Sequence, residues 1–264
     1  MNSKGNDLST YEKPDSPAGP ETDQVVVLLH SLGTDHEMWQ GITSLLEGPY
    51  SLVAPDSRGH GNNTDSGTID LTTWVEDITA IVDAYPEADV HLVGLSMGGV
   101  QALACGAALG PRIKSLTLAN TFATLNSELA NKKVDEMRAK INEVGMAEYA
   151  KVYLDGTLVA PVDDHSYRSL HRAIAAVSPE HYMESAEATF LVDLTGELAG
   201  IMVPTLVITS ELDHKTPSSL SQQIKDGIPG AVLVSIPGAG HLSSVEKPAE
   251  FVAALKTFLK TTQN

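Results

Sequence analysis

The sequence is short of cysteine, of long apolar runs and of positive charge. Its single cysteine, Cys105, allows no disulfide within the 264-residue chain. That fits a reducing compartment, and the cytoplasm is the expected location. No stretch approaches the ~18 consecutive apolar residues of a membrane span. The N-terminal stretch MNSKGNDLSTYEKPDSPAGPETDQ is polar and lacks the apolar centre of a signal peptide. Lys and Arg number 17 against 34 Asp and Glu, a formal net charge of -17. The sequence pI is about 4.8. This balance argues against nucleic acid and anionic membranes as partners.

Apolar residues make up 42% of the chain and charged residues 19%. With a mean hydropathy of -0.04, this is the composition of a globular protein with a substantial core. The length suits one large α/β domain carrying an insertion.

Six short apolar runs read as strands: VVVLLH (25–30), YSLVAP (50–55), VHLVG (90–94), SLTLAN (115–120), TLVITS (205–210) and AVLVSIP (231–237). Continuous apolar runs of this length belong to a parallel sheet covered on both faces. Helical patterns alternate with them. Leu71, Val75, Ile78 and Val82 form one stripe, and Phe251, Leu255 and Leu259 recur at spacing four behind a proline. The expected fold class is therefore α/β, a doubly wound, mostly parallel sheet. The alternation fails over residues 121–198, where VDEMRAKINEVGMAEYAKVYL and SYRSLHRAIAAV read as helices. The chain is divided accordingly: a polar segment at 1–24, a core at 25–120 and 199–264, and an inserted helical cap at 121–198.

The stretch GLSMGG places Ser96 between Gly94 and Gly98, after a strand and before a small-residue helix. A sharp strand-to-helix turn of this kind exposes a serine hydroxyl in a strained backbone conformation. Serine is a weak nucleophile until a base takes its proton. In this arrangement the chain order is serine, acid, histidine. His241, in the glycine-rich loop IPGAGHLSSVEKP, is the expected base; His214 sits beside the expected acid and fits less well. Asp213, in SELDHKTP, is the expected acid, with Glu211 the alternative. Asn120, after the fourth run, is not a carboxylate. The backbone N–H groups of Leu32, in LLHSLG, and Met97 are assigned to an oxyanion hole. His30 is expected to order the first of these loops, and Asp56 and Arg58 to pair with each other and so hold the loop APDSRGHG. Trp39 and Trp74 read as packing residues, with Trp39 retained as a substrate-binding candidate. Cys105 reads as a buried inert thiol.

Together HSLGTDHEMW, DSRGHG, GLSMGG, PTLVITSELDHKTP and GHLSSVEKP resemble the α/β-hydrolase superfamily over residues 25–262, outside the cap. HSLG, HLSSVE and INEVGMAEYA look like the 3-oxoadipate enol-lactone hydrolase branch. The resemblance implies a hydrolase of a small-molecule lactone or ester that uses no metal and no cofactor. In that branch a cap tryptophan and arginine are associated with carboxylate binding. Here residues 121–198 contain no tryptophan, and Arg138 stands near the place of the arginine. Arg138 is the candidate substrate-binding residue; Arg168 and Arg172 share its two readings, carboxylate ligand or solvated charge. A carbon–carbon bond hydrolase, an amidase and a slow-turnover ligand receptor remain alternatives. Dehalogenase and epoxide hydrolase chemistry would need an aspartate at position 96. Oligomeric state is left open.

Overall fold

The structure, a computed structural model, describes residues 23–64 and 67–262. The polar segment expected at 1–24 lies outside the described residues except for Asp23 and Gln24. Six strands form one sheet: β1 (Gln24–Leu29), β2 (Ser51–Val53), β3 (Asp89–Leu95), β4 (Ser115–Ala119), β5 (Thr205–Ser210) and β6 (Val232–Ile236). Their order is β2-β1-β3-β4-β5-β6 and every pairing is parallel. Each strand falls on a run expected from the sequence.

The runs are apolar throughout because both faces are covered. Along β1, Val26 and Leu28 point into one layer, and Val25, Val27 and Leu29 into the other. The first layer holds α1 (Gln40–Leu45), α9 (Pro248–Thr261) and the cap. The second holds α2 (Leu71–Asp83), α3 (Met97–Leu109) and α7 (Ser218–Gly227). A helix buried around its whole circumference needs small residues, and α3 is buried from Met97 to Gly106. The α9 stripe of Phe251, Leu255 and Leu259 is buried as its spacing predicts. In α2 the buried set is Trp74, Ile78, Ile81 and Val82, whereas Leu71 and Val75 are half-buried. The helix is rotated from the expected stripe so that the large Trp74 side chain goes inside.

Three helices, α4 (Ser127–Asp155), α5 (Asp164–Ala176) and α6 (Pro179–Phe190), fill the gap between β4 and β5. The insertion narrows to a neck where Thr124 bridges Asp193 and the Leu194 N–H donates to Ala123 O at 2.9 Å. The neck lies a few residues inside the limits 121 and 198. One helical pattern across residues 134–154 is interrupted: Gly145 adopts φ 74°, ψ 166° and breaks α4 in two. Glycine takes that backbone conformation without steric penalty.

The strand order reverses between β1 and β3. In an open α/β sheet, that reversal opens a crevice at the carboxyl ends of the strands. Four loops leave the sheet around it, after β1, β3, β5 and β6.

Candidate active site

Ser96 follows β3 directly, with φ 57° and ψ -111°, in the left-handed region that non-glycine residues rarely occupy. Three glycines make the turn possible. A Cβ at Gly94 would overlap the Gly98 carbonyl, one at Gly98 the Leu29 carbonyl, and one at Gly99 the Thr121 side chain. The strain is held by hydrogen bonds on each side. Ser96 N–H donates to Ala119 O at 3.0 Å, Gly98 N–H to His30 O at 3.0 Å, and Thr121 Oγ1 to Ser96 O at 2.8 Å.

The structure brings together the three side chains read from the sequence. Ser96 Oγ lies 3.0 Å from His241 Nε2, and His241 Nδ1 lies 3.0 Å from Asp213 Oδ2. All three are buried. Burial by itself would raise the Asp213 carboxyl. The His241 ring, the Thr216 hydroxyl and the Thr216 N–H outweigh it and hold the group well below the usual carboxylate range. Oδ2 also accepts from Thr216 Oγ1 at 2.6 Å and Asn120 Nδ2 at 2.9 Å; Oδ1 accepts from the N–H groups of Lys215 and Thr216 at 2.8 and 2.9 Å. A carboxylate so held accepts a hydrogen bond from His241 Nδ1–H and fixes that tautomer, leaving the Nε2 lone pair facing the serine hydroxyl.

Glu211, the alternative acid, is exposed and accepts from Gly238 N–H at 2.9 Å. It braces the loop after β6 rather than the imidazole. Asn120 occupies the place after β4 where no carboxylate was found. Its φ is 46°, and its amide reaches both Asp213 and Ser210. Its positive φ left no mark in the sequence.

Leu32 lines the cavity beside Ser96 and His241. Met97 opens α3, and first-turn N–H groups have no partner within their helix. Two buried imidazoles staple the Leu32 loop to the loop after β2. His30 Nδ1 lies 2.8 Å from Ser31 O and its Nε2 accepts from Ser57 N–H at 2.9 Å. His60 Nε2 accepts from Gly33 N–H at 3.0 Å while its Nδ1 lies 3.0 Å from Arg58 O. Burial, reinforced by His30, pushes His60 down to about 3, so the ring is a neutral brace. His60 carries as much of this contact as the expected His30. Asp56 and Arg58 hold their loop through separate partners: Asp56 meets His36 at 2.9 Å, and Arg58 grips Asp77 at 2.6 and 2.8 Å.

A cavity of about 340 Å³ opens over Ser96, between core and cap. Cap residues Met137, Tyr149, Tyr153 and Phe190 give it an apolar wall. Trp39 takes no part. It is fully buried and packs edge-on against Phe251 at 6.0 Å, so it is a core residue, and truncating it would cost about 3–5 kcal/mol of stability. Arg138 is also displaced from the expected role. It is exposed outside the cavity lining and is paired with Glu187 of α6. Arg172 pairs with Asp35 and Glu37 at 3.1 and 2.8 Å, and Arg168 with Asp164 at 3.8 Å.

Glu246 went unnoticed in the sequence. It lies in α8 (Ser243–Glu246), buried, five residues after His241. Its Oε2 accepts from the N–H groups of Val159, Ala160 and Gly240 at 2.9, 2.8 and 3.1 Å, and Oε1 from Leu242 at 3.2 Å. It therefore grips both neighbours of His241 and the cap segment behind them. Cys105 is buried in α3, and burial pushes its thiol up to about 12. No helix among the described residues is long and apolar enough to cross a membrane.

The fold and this serine–histidine–aspartate arrangement define a hydrolase of the α/β class. The chain belongs to the alpha/beta hydrolase family, whose sequence profile matches residues 26–254. It is 29% identical over 247 residues to 3-oxoadipate enol-lactonase 1 of Acinetobacter baylyi, covering 93% of this chain and 92% of that one. It is 25% identical over 249 residues to a pimeloyl-acyl-carrier-protein methyl ester esterase of Neisseria meningitidis, covering 91% and 95%. The crystal structure of an enol-lactonase from Burkholderia xenovorans superposes with a TM-score of 0.80 at 27% identity, covering 90% of this chain and 91% of that one.

Proposed function

We propose that the chain cleaves a lactone or carboxylic ester through an acyl-enzyme on Ser96. The observation that carries this reading is the unbroken contact from Asp213 through His241 to Ser96, at 3.0 Å each, opening on a cavity. His241 Nε2 takes the hydroxyl proton as Ser96 Oγ attacks the acyl carbonyl. The N–H groups of Leu32 and Met97 receive the developing oxyanion; each such donor is worth about 3–4 kcal/mol in the transition state. His241 then gives its proton to the leaving oxygen, takes one from the water that attacks the acyl-enzyme, and returns it to Ser96 Oγ as the C–O bond to the serine breaks and the acid leaves. Every step uses side chains and backbone of this chain. Relatives named as an enol-lactonase and a methyl ester esterase support an oxygen-ester substrate. A buried lone thiol is compatible with the cytoplasm, where we place the enzyme.

Turnover of p-nitrophenyl esters tests the reading. Ser96→Ala is expected to lower kcat by about a million-fold. Mass spectrometry of wild-type enzyme quenched during turnover should find the acyl group on Ser96. Wild-type turnover by the alanine variant would overturn the reading, and single-turnover labelling without product release would favour a receptor.

A further inference from the structure

Lys215 brings an ammonium group to the core side of the cavity over Ser96. It stands two residues after Asp213, on the loop between β5 and α7. Its Nζ forms no ion pair and no hydrogen bond among the described residues, and rests 5.3 Å from the centroid of the Tyr153 ring. Asp213, on the same loop, already accepts from His241, Thr216, Asn120 and two backbone N–H groups. Glu136, which also lines the cavity, lies 3.8 Å from Lys132. The side chain is half-buried; desolvation first, and then the charge of Lys133 on the cap, lower its pKa, while Asp213 opposes them. With 34 acidic side chains against 17 Lys and Arg, this chain has no shortage of carboxylates to pair with. A cation left unpaired and half-desolvated beside a reactive serine is a candidate for the chemistry itself.

The strand order decides which part of a bound ester this ammonium meets. Ser96 leaves β3. The Leu32 loop leaves β1, on one side of it, and the loops of Lys215 and His241 leave β5 and β6, on the other. On the catalytic reading above, the acyl carbonyl turns its oxygen to the N–H groups of Leu32 and Met97. Its leaving oxygen must then reach His241 Nε2, which lies 3.0 Å from Ser96 Oγ. The leaving oxygen therefore faces the β5–β6 side, and Lys215 stands on that side of the cavity.

We propose that Lys215 is a catalytic residue for the leaving group: its ammonium stabilises the negative charge on the leaving oxygen as the tetrahedral intermediate collapses, which suits the enzyme to alcohols that leave poorly. This rests on the catalytic reading given above for the same cavity. The bond between the acyl carbon and the leaving oxygen breaks, and its electron pair goes to that oxygen. His241 Nε2–H supplies the proton, and the acyl group stays on Ser96 Oγ. Lys215 gives up no proton; it contributes a fixed charge and an N–H donor where water is scarce and such charge acts most strongly. The benefit grows as the alcohol becomes less acidic, because collapse of the intermediate, rather than attack by the serine, then limits acylation.

Trifluoroethyl butanoate and ethyl butanoate separate this role from a structural one. They share an acyl group and differ little in length, but trifluoroethanol is much the stronger acid. Lys215→Met should lower kcat/KM for the ethyl ester by about 100-fold, the scale of a lost transition-state donor, and for the trifluoroethyl ester by only a few-fold. The trifluoroethyl-to-ethyl ratio therefore widens by tenfold or more, and Lys215→Arg, which keeps the cation, should recover most of it. A ratio that Lys215→Met leaves unchanged, because neither ester slows or because both slow equally, would overturn the proposal. Labelling of Ser96 by a fluorophosphonate, whose fluoride leaves without help, reads the triad alone and should proceed in Lys215→Met at the wild-type rate. Labelling lost in that variant would make Lys215 a structural residue and overturn its catalytic role. Normal labelling with an unchanged ester ratio sinks the leaving-group role and leaves the catalytic reading standing. Failure of wild-type Ser96 to label sinks the catalytic reading, and this proposal with it.

Discussion

On the core side of the cavity, side chains are set by backbone. Ser96 and Asn120 have positive φ at the ends of neighbouring strands, Asp213 is surrounded by donors, and His241 is fixed through the N–H groups on either side of it. On the cap side, Lys133, Met137 and Tyr153 project from the surface of α4, which is itself broken at Gly145. The core holds atoms to hydrogen-bond distance and therefore suits the reacting groups. The cap supplies area and charge, which tolerate looser geometry and can be exchanged without disturbing the sheet. In such an arrangement the reaction is expected to belong to the core and the choice of substrate to the cap.

The sharpest test on the core side compares its two acidic candidates. Asp213→Asn keeps the shape but offers an amide where His241 Nδ1 needs an acceptor, which favours the wrong tautomer. A loss in kcat of about 10⁴-fold is expected. Glu211→Gln removes a carboxyl group that touches only the Gly238 N–H among the contacts given above, and kcat should stay within a few-fold. Steady-state kinetics of the two variants at one pH decides; the reverse ranking would move the acid to Glu211.

Glu246 is where the two regions touch, so its substitution should disturb both. In Glu246→Gln, an amide nitrogen replaces one of two oxygens that together accept four backbone N–H groups. Leaving buried donors unpaired costs about 1–3 kcal/mol. Calorimetry should show Tm lower by about 2–4 °C for each kcal/mol lost in a chain near this size. The His241 loop should also loosen, and a displacement near 1 Å costs on the order of 100-fold in rate. A lower Tm with unchanged kcat would make Glu246 a stability residue alone.

The sequence made the backbone-determined half legible. Gly94, Gly98 and Gly99 are demanded by close approaches, and that demand survives as a readable pattern. The apolar strands between them located the loops that bring Ser96, Asp213 and His241 together. Asn120 and Glu246 escaped notice because a single polar residue carries no periodicity; their importance lies in which N–H groups or oxygens happen to face them. The cap was legible as helices and little more. Trp39 was drawn toward the substrate by residue type and Arg138 by the family resemblance, but burial against Phe251 and pairing with Glu187 place them elsewhere.

The smallest effect expected is also the one that most directly separates the cap's surface from the cavity beneath it. Arg138 stands on α4, and its partner is Glu187 on the outer side of the cap. An exposed ion pair of this kind is worth about 0–1 kcal/mol. Arg138→Ala should therefore shift Tm by no more than about 4 °C and leave kcat/KM within twofold on trifluoroethyl and ethyl butanoate alike. Lys215→Met, with the same loss of one positive charge, should widen the ratio between them at least tenfold. Equal net charge in the two variants removes long-range attraction as an explanation, so any difference between them reports position. If Arg138→Ala matched Lys215→Met, the guanidinium would have to leave Glu187 and swing into the cavity when substrate binds. The cap would then be a moving part rather than a fixed wall.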